Sequence, residues 1–134
     1  MVTTLHGRSI SRGIGEGEVL ICKDAISFLG DIDPKSGTCV APKHAIEGKN
    51  IAGKVLVFPQ GKGSTVGSYV LLQLAKNGKA PAAMVNLEAE PIIVVGAIIS
   101  KIPMVDKLEK NPLELLKDGM RVKVDGEKGT LALG

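Results

Sequence analysis

The chain has no tryptophan, one tyrosine (Tyr69) and two phenylalanines (Phe28 and Phe58). Its core must therefore be aliphatic. The same scarcity removes the aromatic platforms on which single-stranded nucleic acids stack. Arginine appears only as Arg8, Arg12 and Arg121, and the basic residues are scattered, so the net charge of +3 forms no basic stripe. Nucleic acid is not an expected partner. Cysteine is limited to Cys22 and Cys39, which form no CxxC pair. Two thiolates cannot supply the usual four-cysteine zinc or iron–sulfur site, so both are read as buried reduced thiols, and no metal ligand is assigned to this chain. The two histidines, His6 and His44, have no partner at metal-ligand spacing and are assigned surface or loop roles. The longest apolar run, residues 91–99, is far short of the ~20 residues that span a bilayer. The first fifteen residues lack the apolar segment of a signal peptide. A soluble cytoplasmic protein without a membrane partner is expected.

What remains is ordinary for a folded chain: 134 residues, 44% hydrophobic and 23% charged. That is most simply one domain, residues 1–134, of mixed α/β class. The first third reads as β. EGEVLICKD alternates around Val19 and Ile21, AISFLG follows after a polar break, and TCVAP continues the run. DIDPKSG is a turn by its Asp-Pro and Gly chemistry. GIGEGE, residues 13–18, reads as a tight turn feeding the first strand. KVLVFP is a short strand of the kind buried on both faces. Residues 64–77 then read as a helix, with Val66, Val70 and Leu74 on one side and Gly78 as its stop. AAMVN completes a strand–helix–strand unit of parallel type. EPIIVVGAIIS suits either a strand or a short packed helix. KIPMVDK reads as a brief strand and NPLELLKDG as a helical turn. MRVKVDGEKGTLAL reads as a hairpin turning at Asp125-Gly126.

The chemistry concentrates in PQGKGSTVGS. It is not a Walker loop, because Gly61-Lys62 is followed by Gly63, and GxGxxxG is one residue too long for a dinucleotide fingerprint. Its local physics is nevertheless that of an anion-friendly corner. Ser64 or Thr65 can cap the helix, where free N–H groups and the helix dipole stabilise negative charge. Gly61 and Gly63 let the backbone approach a ligand, and Lys62 adds a cation. A plain capping role for Ser64 remains open on these grounds. Glu88 and Glu90 are expected to be solvated. No Ser-His-Asp or Cys-His constellation is legible.

Four stretches, GRSISRGIGEGEVL, ISFLGDIDPKSG, FPQGKGSTVGSYVL and GAIISKIPMVDK, resemble in order and spacing the small subunits of the aconitase-X type dehydratases, specifically those of archaeal phosphomevalonate dehydratases. The resemblance runs from Gly7 to about Gly134. It implies the swivelling β/β/α domain of the aconitase superfamily. It also implies a hetero-oligomeric hydro-lyase whose large subunit carries a [4Fe-4S] cluster, with no cofactor on this chain. The implied reaction is dehydration of (R)-5-phosphomevalonate to trans-anhydromevalonate 5-phosphate, in an archaeal mevalonate route to isoprenoids. The family's GKGS pattern falls on Gly61-Lys62-Gly63-Ser64, making Ser64 the implied proton acceptor. Gly61, Lys62, Gly63 and Thr65 are then candidates for binding the substrate, a phosphorylated hydroxy acid. Lys62, Arg8 or Arg12 could supply the cation that assists Ser64. Relatives of the same family dehydrate hydroxyprolines. The terminal DGMRVKVDGEKGTLAL also looks like the end of phosphohistidine carrier domains, but that role needs a histidine where this chain has Ser64 and Thr65.

Overall fold

The structure is a computed structural model that describes residues 3–62 and 65–133. Eight strands and four helices follow one another as β1 (Thr3–His6), β2 (Arg8–Ser11), β3 (Ile14–Ile21), α1 (Phe28–Asp31), β4 (Val55–Phe58), α2 (Val66–Lys76), β5 (Ala83–Asn86), α3 (Pro91–Ile99), β6 (Met104–Asp106), α4 (Pro112–Leu115), β7 (Arg121–Asp125) and β8 (Thr130–Leu133). The strands form one sheet in the order β1-β8-β7-β3-β4-β5-β6-β2. Strands β3 to β6 are parallel to one another, and all other pairings are antiparallel.

The two end strands of that order are consecutive in the chain, separated only by Gly7. The sheet therefore curls back on itself. Its seam is held by the Gly7 amide on the Gly129 carbonyl at 2.8 Å and the Glu109 amide on the His6 carbonyl at 2.9 Å. The Ser9 hydroxyl adds a bond to the Gly126 carbonyl.

Alternation along the central strands divides the core in two. Val55, Val57, Val85 and Val105 point to the inside of the curl, where they meet Val122, Val124 and Leu131. Leu56, Phe58, Met84 and Met104 point outward, beneath Leu71 and Leu74 of α2 and Ile93 and Ala97 of α3. Because both faces are covered, β4 and β5 are buried at every residue, as their continuous apolar runs predict. The strand–helix–strand unit and the terminal hairpin form as expected. At the end of α2, Gly78 takes φ +69°, and the Lys79 amide returns to the Leu74 carbonyl at 2.8 Å.

The ambiguous EPIIVVGAIIS run is helix α3. The Glu90 carboxylate accepts from the Ile92 and Ile93 amides at 3.0 and 2.7 Å, and Pro91 occupies the first turn. Gly96 lets α2 come close, since a Cβ there would lie 2.6 Å from Leu71 Cδ1.

Two expectations need correction. GIGEGE is not a turn: the turn lies at Gly13, and Gly15 and Gly17 sit inside β3, where other backbone passes too close for side chains. AISFLG and TCVAP are not strands beyond isolated bridges. Side chains there divert the backbone. The Asp31 carboxylate accepts from the Ser27 amide at 2.9 Å, and the Ser27 hydroxyl donates to the Leu29 carbonyl at 2.9 Å. The result is the irregular turn α1, with Leu29 and Gly30 outside helical geometry.

Candidate functional site at the carboxyl edge of the parallel strands

Open parallel sheets bind ligands beyond the carboxyl ends of their strands. Here the strand ends carry Phe58, Asn86 and Asp106, which stand in one row across β4, β5 and β6, with Arg8 of β2 opposite Asp106. The N-termini of α2 and α3 rise above this edge. The GKGS turn leaves β4 here. Gly63 and Ser64 lie outside the described residues, but both flanks are described.

On one flank, residues 26–31 wrap the turn. The Lys62 amide donates to the Ile26 carbonyl at 2.9 Å, and Ile26 bridges Gly61. Phe28 packs edge-on to Phe58 with centroids 6.0 Å apart, pinning this segment to the end of β4. On the other flank stands Glu90. A Cβ on Gly61 would collide with Ile93 and lie 2.9 Å from the Glu90 carboxylate. Gly61 is thus required for α3 to seat, a reason for glycine separate from any ligand. Lys62 and Thr65 are exposed. Thr65 holds the cap position of α2 with helical dihedrals and no side-chain capping bond. Its carbonyl instead accepts from the Ser68 hydroxyl at 2.7 Å. Thr65, Ser68, Tyr69, Pro91, Ile92 and Val95 line an open groove of about 380 Å³ between the two helices.

Folding separates the two arginines considered as helpers for Ser64. Strand β2 runs antiparallel to β6, so Arg8 stands at the carboxyl edge while Arg12 lies beyond Ser11, towards the opposite edge. Arg8 is bound twice by Asp106: Nε donates to Oδ1 at 2.9 Å and Nη2 to Oδ2 at 2.7 Å. Asp106 is fully buried and also accepts from the Ala89 amide at 2.7 Å. Hydrogen bonding and attraction to Asp106 raise the Arg8 pKa, keeping it charged. Beside them Lys107, in the left-handed region at φ +51°, turns the chain off β6 and reaches Glu88 at 3.5 Å. Glu88 is solvated as expected, whereas Glu90 spends its charge on capping α3. Nothing local announces the Arg8–Asp106 pair, whose members are 98 positions apart.

His44 lies in a loop, one of its two expected places, but not as a surface side chain. Its side chain is buried, with Nε2 3.1 Å from the Ala25 carbonyl and 3.7 Å from Asp31. Cys22 Sγ lies 3.8 Å from His44 Nδ1. Both cysteines are free and buried, and no three His, Cys, Asp or Glu side chains among the described residues converge as metal ligands. Desolvation pushes the Cys22 thiol up to about 11 from 9.0. A neutral thiol below that value is a poor nucleophile. Neither cysteine should react with an aromatic disulfide reagent at pH 8 until the chain is unfolded; a native thiol titrating within minutes would contradict this. The sign for stability follows. Between pH 9 and 11 the unfolded chain ionises Cys22 while the folded chain holds it neutral, so this contribution is full below pH 9 and lost as pH rises towards 11.

Comparison with known proteins places this geometry. The model of the aconitase X swivel domain matches residues 4–133. A protein of Methanosarcina acetivorans named phosphomevalonate dehydratase small subunit is 64% identical over 129 residues, covering 96% of this chain and 90% of its own. One of the same name from Pyrococcus horikoshii is 47% identical, covering 96% and 94%. The crystal structure of Thermococcus kodakaraensis aconitase X in its holo form superposes with a TM-score of 0.93 at 49% identity, over 98% of both chains. The curled mixed sheet and the helices on its outer face are thus shared across nearly full length, and the chain belongs to the aconitase X swivel domain family.

Proposed function

We propose that this chain is the small subunit of a hydro-lyase that dehydrates (R)-5-phosphomevalonate to trans-anhydromevalonate 5-phosphate, with Ser64 as proton acceptor. What carries the reading is that relatives 47% to 65% identical, matched along most of their length, bear the name phosphomevalonate dehydratase small subunit. The geometry is compatible with it. A helix N-terminus and an exposed lysine flank the serine turn at the carboxyl edge of the parallel strands.

The residues present do not suit an iron–sulfur cluster, since the only two thiols are buried. In this reading the cluster belongs to the larger partner, and departure of the hydroxyl is left to groups outside this chain. This chain's share is the proton. A free alcohol is a weak base, so Ser64 needs its alkoxide stabilised. The α2 dipole, the Lys62 ammonium and exclusion of water on closure of the two subunits all act in that direction. Gly61, Lys62, Gly63 and Thr65 would hold the substrate against the serine.

The test is co-expression with the larger subunit encoded in the same organism, anaerobic purification, and assay of water loss from 5-phosphomevalonate. Turnover by the two-chain complex, and by neither chain alone, is expected. A cluster-loaded complex that leaves 5-phosphomevalonate untouched overturns the substrate. If it dehydrates a hydroxyproline instead, the family chemistry stands with the other acid.

A further inference from the structure

We infer that Arg8, held by Asp106, is the receptor for the phosphate of the substrate, at the end of the site away from the Ser64 turn. The inference rests on the dehydratase reading above and adds a residue to it.

The outward face of the parallel strands is apolar until its last row. There Asn86 and Asp106, both fully buried, stand in the row of Phe58, above Leu56, Met84 and Met104. Burying a carboxylate is costly unless it is well bonded. Asp106 accepts three N–H groups, two from Arg8 and one from Ala89. Asn86 gives its amide to the Phe58 carbonyl at 3.1 Å, while its own Oδ1 has no partner among the described residues. The pair straps β2 to β6, but those strands are already bonded to each other through their backbones, and a buried ion pair is weak evidence of a purely stabilising role.

As a receptor the arrangement makes sense. Guanidinium has five N–H donors in a planar fork, and Asp106 engages two of its nitrogens. The others remain on a side chain that is 49% exposed. Its rotamer is fixed from below, so little entropy is lost when an anion arrives. Position then assigns the role. Strands lie about 4.8 Å apart, so a guanidinium over β6 stands about 10 Å from β4, the strand that feeds the Ser64 turn. That distance suits the far anionic group of an extended acid. Lys107 adds a second cation at the same edge, already shared with Glu88.

The test uses the assembled two-chain enzyme. In Arg8→Gln, KM for 5-phosphomevalonate should rise about 10- to 100-fold with kcat held within about threefold. Competitive inhibition by inorganic phosphate should weaken in proportion. Arg8→Lys keeps the charge without the fork and should fall between. Because Arg8→Gln leaves a buried carboxylate unpaired, the double variant Arg8→Gln/Asp106→Asn is measured alongside; it should recover stability and keep the raised KM. Unchanged KM and phosphate inhibition, or a loss confined to kcat, overturns the assignment. A separate readout is the Arg8 Nε–Hε resonance of the isolated wild-type chain during titration with phosphate, assigned by its absence in Arg8→Lys. If the complex does not act on 5-phosphomevalonate, the substrate reading fails and this titration alone decides. A shifted Arg8 signal keeps the anion site, and a silent one overturns it.

Discussion

Replacing Ser64 by alanine is expected to lower turnover of the assembled enzyme by about 10²- to 10⁴-fold, the range for removal of a positioned acid or base. The two subunits should still assemble. The competing account, in which Ser64 only caps α2, predicts the reverse pattern: ~1 kcal/mol of stability lost and turnover kept. The described flank sharpens the contrast. Thr65 stands at the cap position without a side-chain bond, and the Ser68 hydroxyl already engages the first turn. Thermal unfolding of the isolated chain and kcat of the complex, measured on the same variant, separate the accounts. A variant that retains more than a tenth of wild-type kcat would falsify the base assignment.

The second large effect is on folding. Gly15→Ala should destabilise the chain by about 3 kcal/mol, the upper part of the range for overpacking, lowering its melting temperature by roughly 10 °C. A Cβ on Gly15 would collide with the Ala82 carbonyl oxygen and lie 2.8 Å from its carbon and 2.9 Å from Ala83 Cβ. These are backbone and core atoms that cannot rotate aside. Ala82 is fixed through its amide on the Lys54 carbonyl at 2.8 Å, and Ala83 opens β5. The same exchange at Gly67 should have the opposite sign. Gly67 is the second residue of α2, and among the described residues outside the helix its added Cβ would meet nothing closer than Phe28 Cβ at 3.9 Å. Alanine there should gain about 0.5 to 1 kcal/mol from helix propensity. Calorimetry on both variants tests the pair; a Gly15→Ala protein melting with the wild type would show that β3 and β5 yield to each other.

The two glycines also show where reading the chain residue by residue succeeds. Elements whose causes lie within a dozen residues were legible: the apolar run of β4, the α2 periodicity closed by Gly78, and the hairpin at Asp125. Gly15 was read as turn chemistry because its true cause, the Ala82 carbonyl, is remote in sequence. The β reading of AISFLG failed because Ser27 and Asp31 bond the backbone locally, against the apolar pattern. Helix α3 was ambiguous because Ile and Val dominate it. Its deciding signal, Glu90 before Pro91, was present but read as a solvated carboxylate. At the site, the serine turn stood out through its glycines and its resemblance to a known family, and Gly63 and Ser64 remain outside the described residues. From sequence, Arg8 reads only as one of three candidate cations for Ser64, beside Lys62 and Arg12. Its pairing with Asp106 depends on β2 meeting β6, which no local pattern encodes.

The seam that joins the two ends of the strand order has a consequence for how the molecule is made. Strand β1 pairs with β8, Thr3 opposite Leu133, so β1 leaves the ribosome well before its partner. Until β8 emerges, β1 has an unpaired edge, and β2 must wait for β6. Such pairings carry a large loop-closure cost, which places folding in the slow range for small domains, milliseconds or longer. Arg8 opens β2, the second of these late-pairing strands, so the clamp on Asp106 is assembled among the final steps of folding.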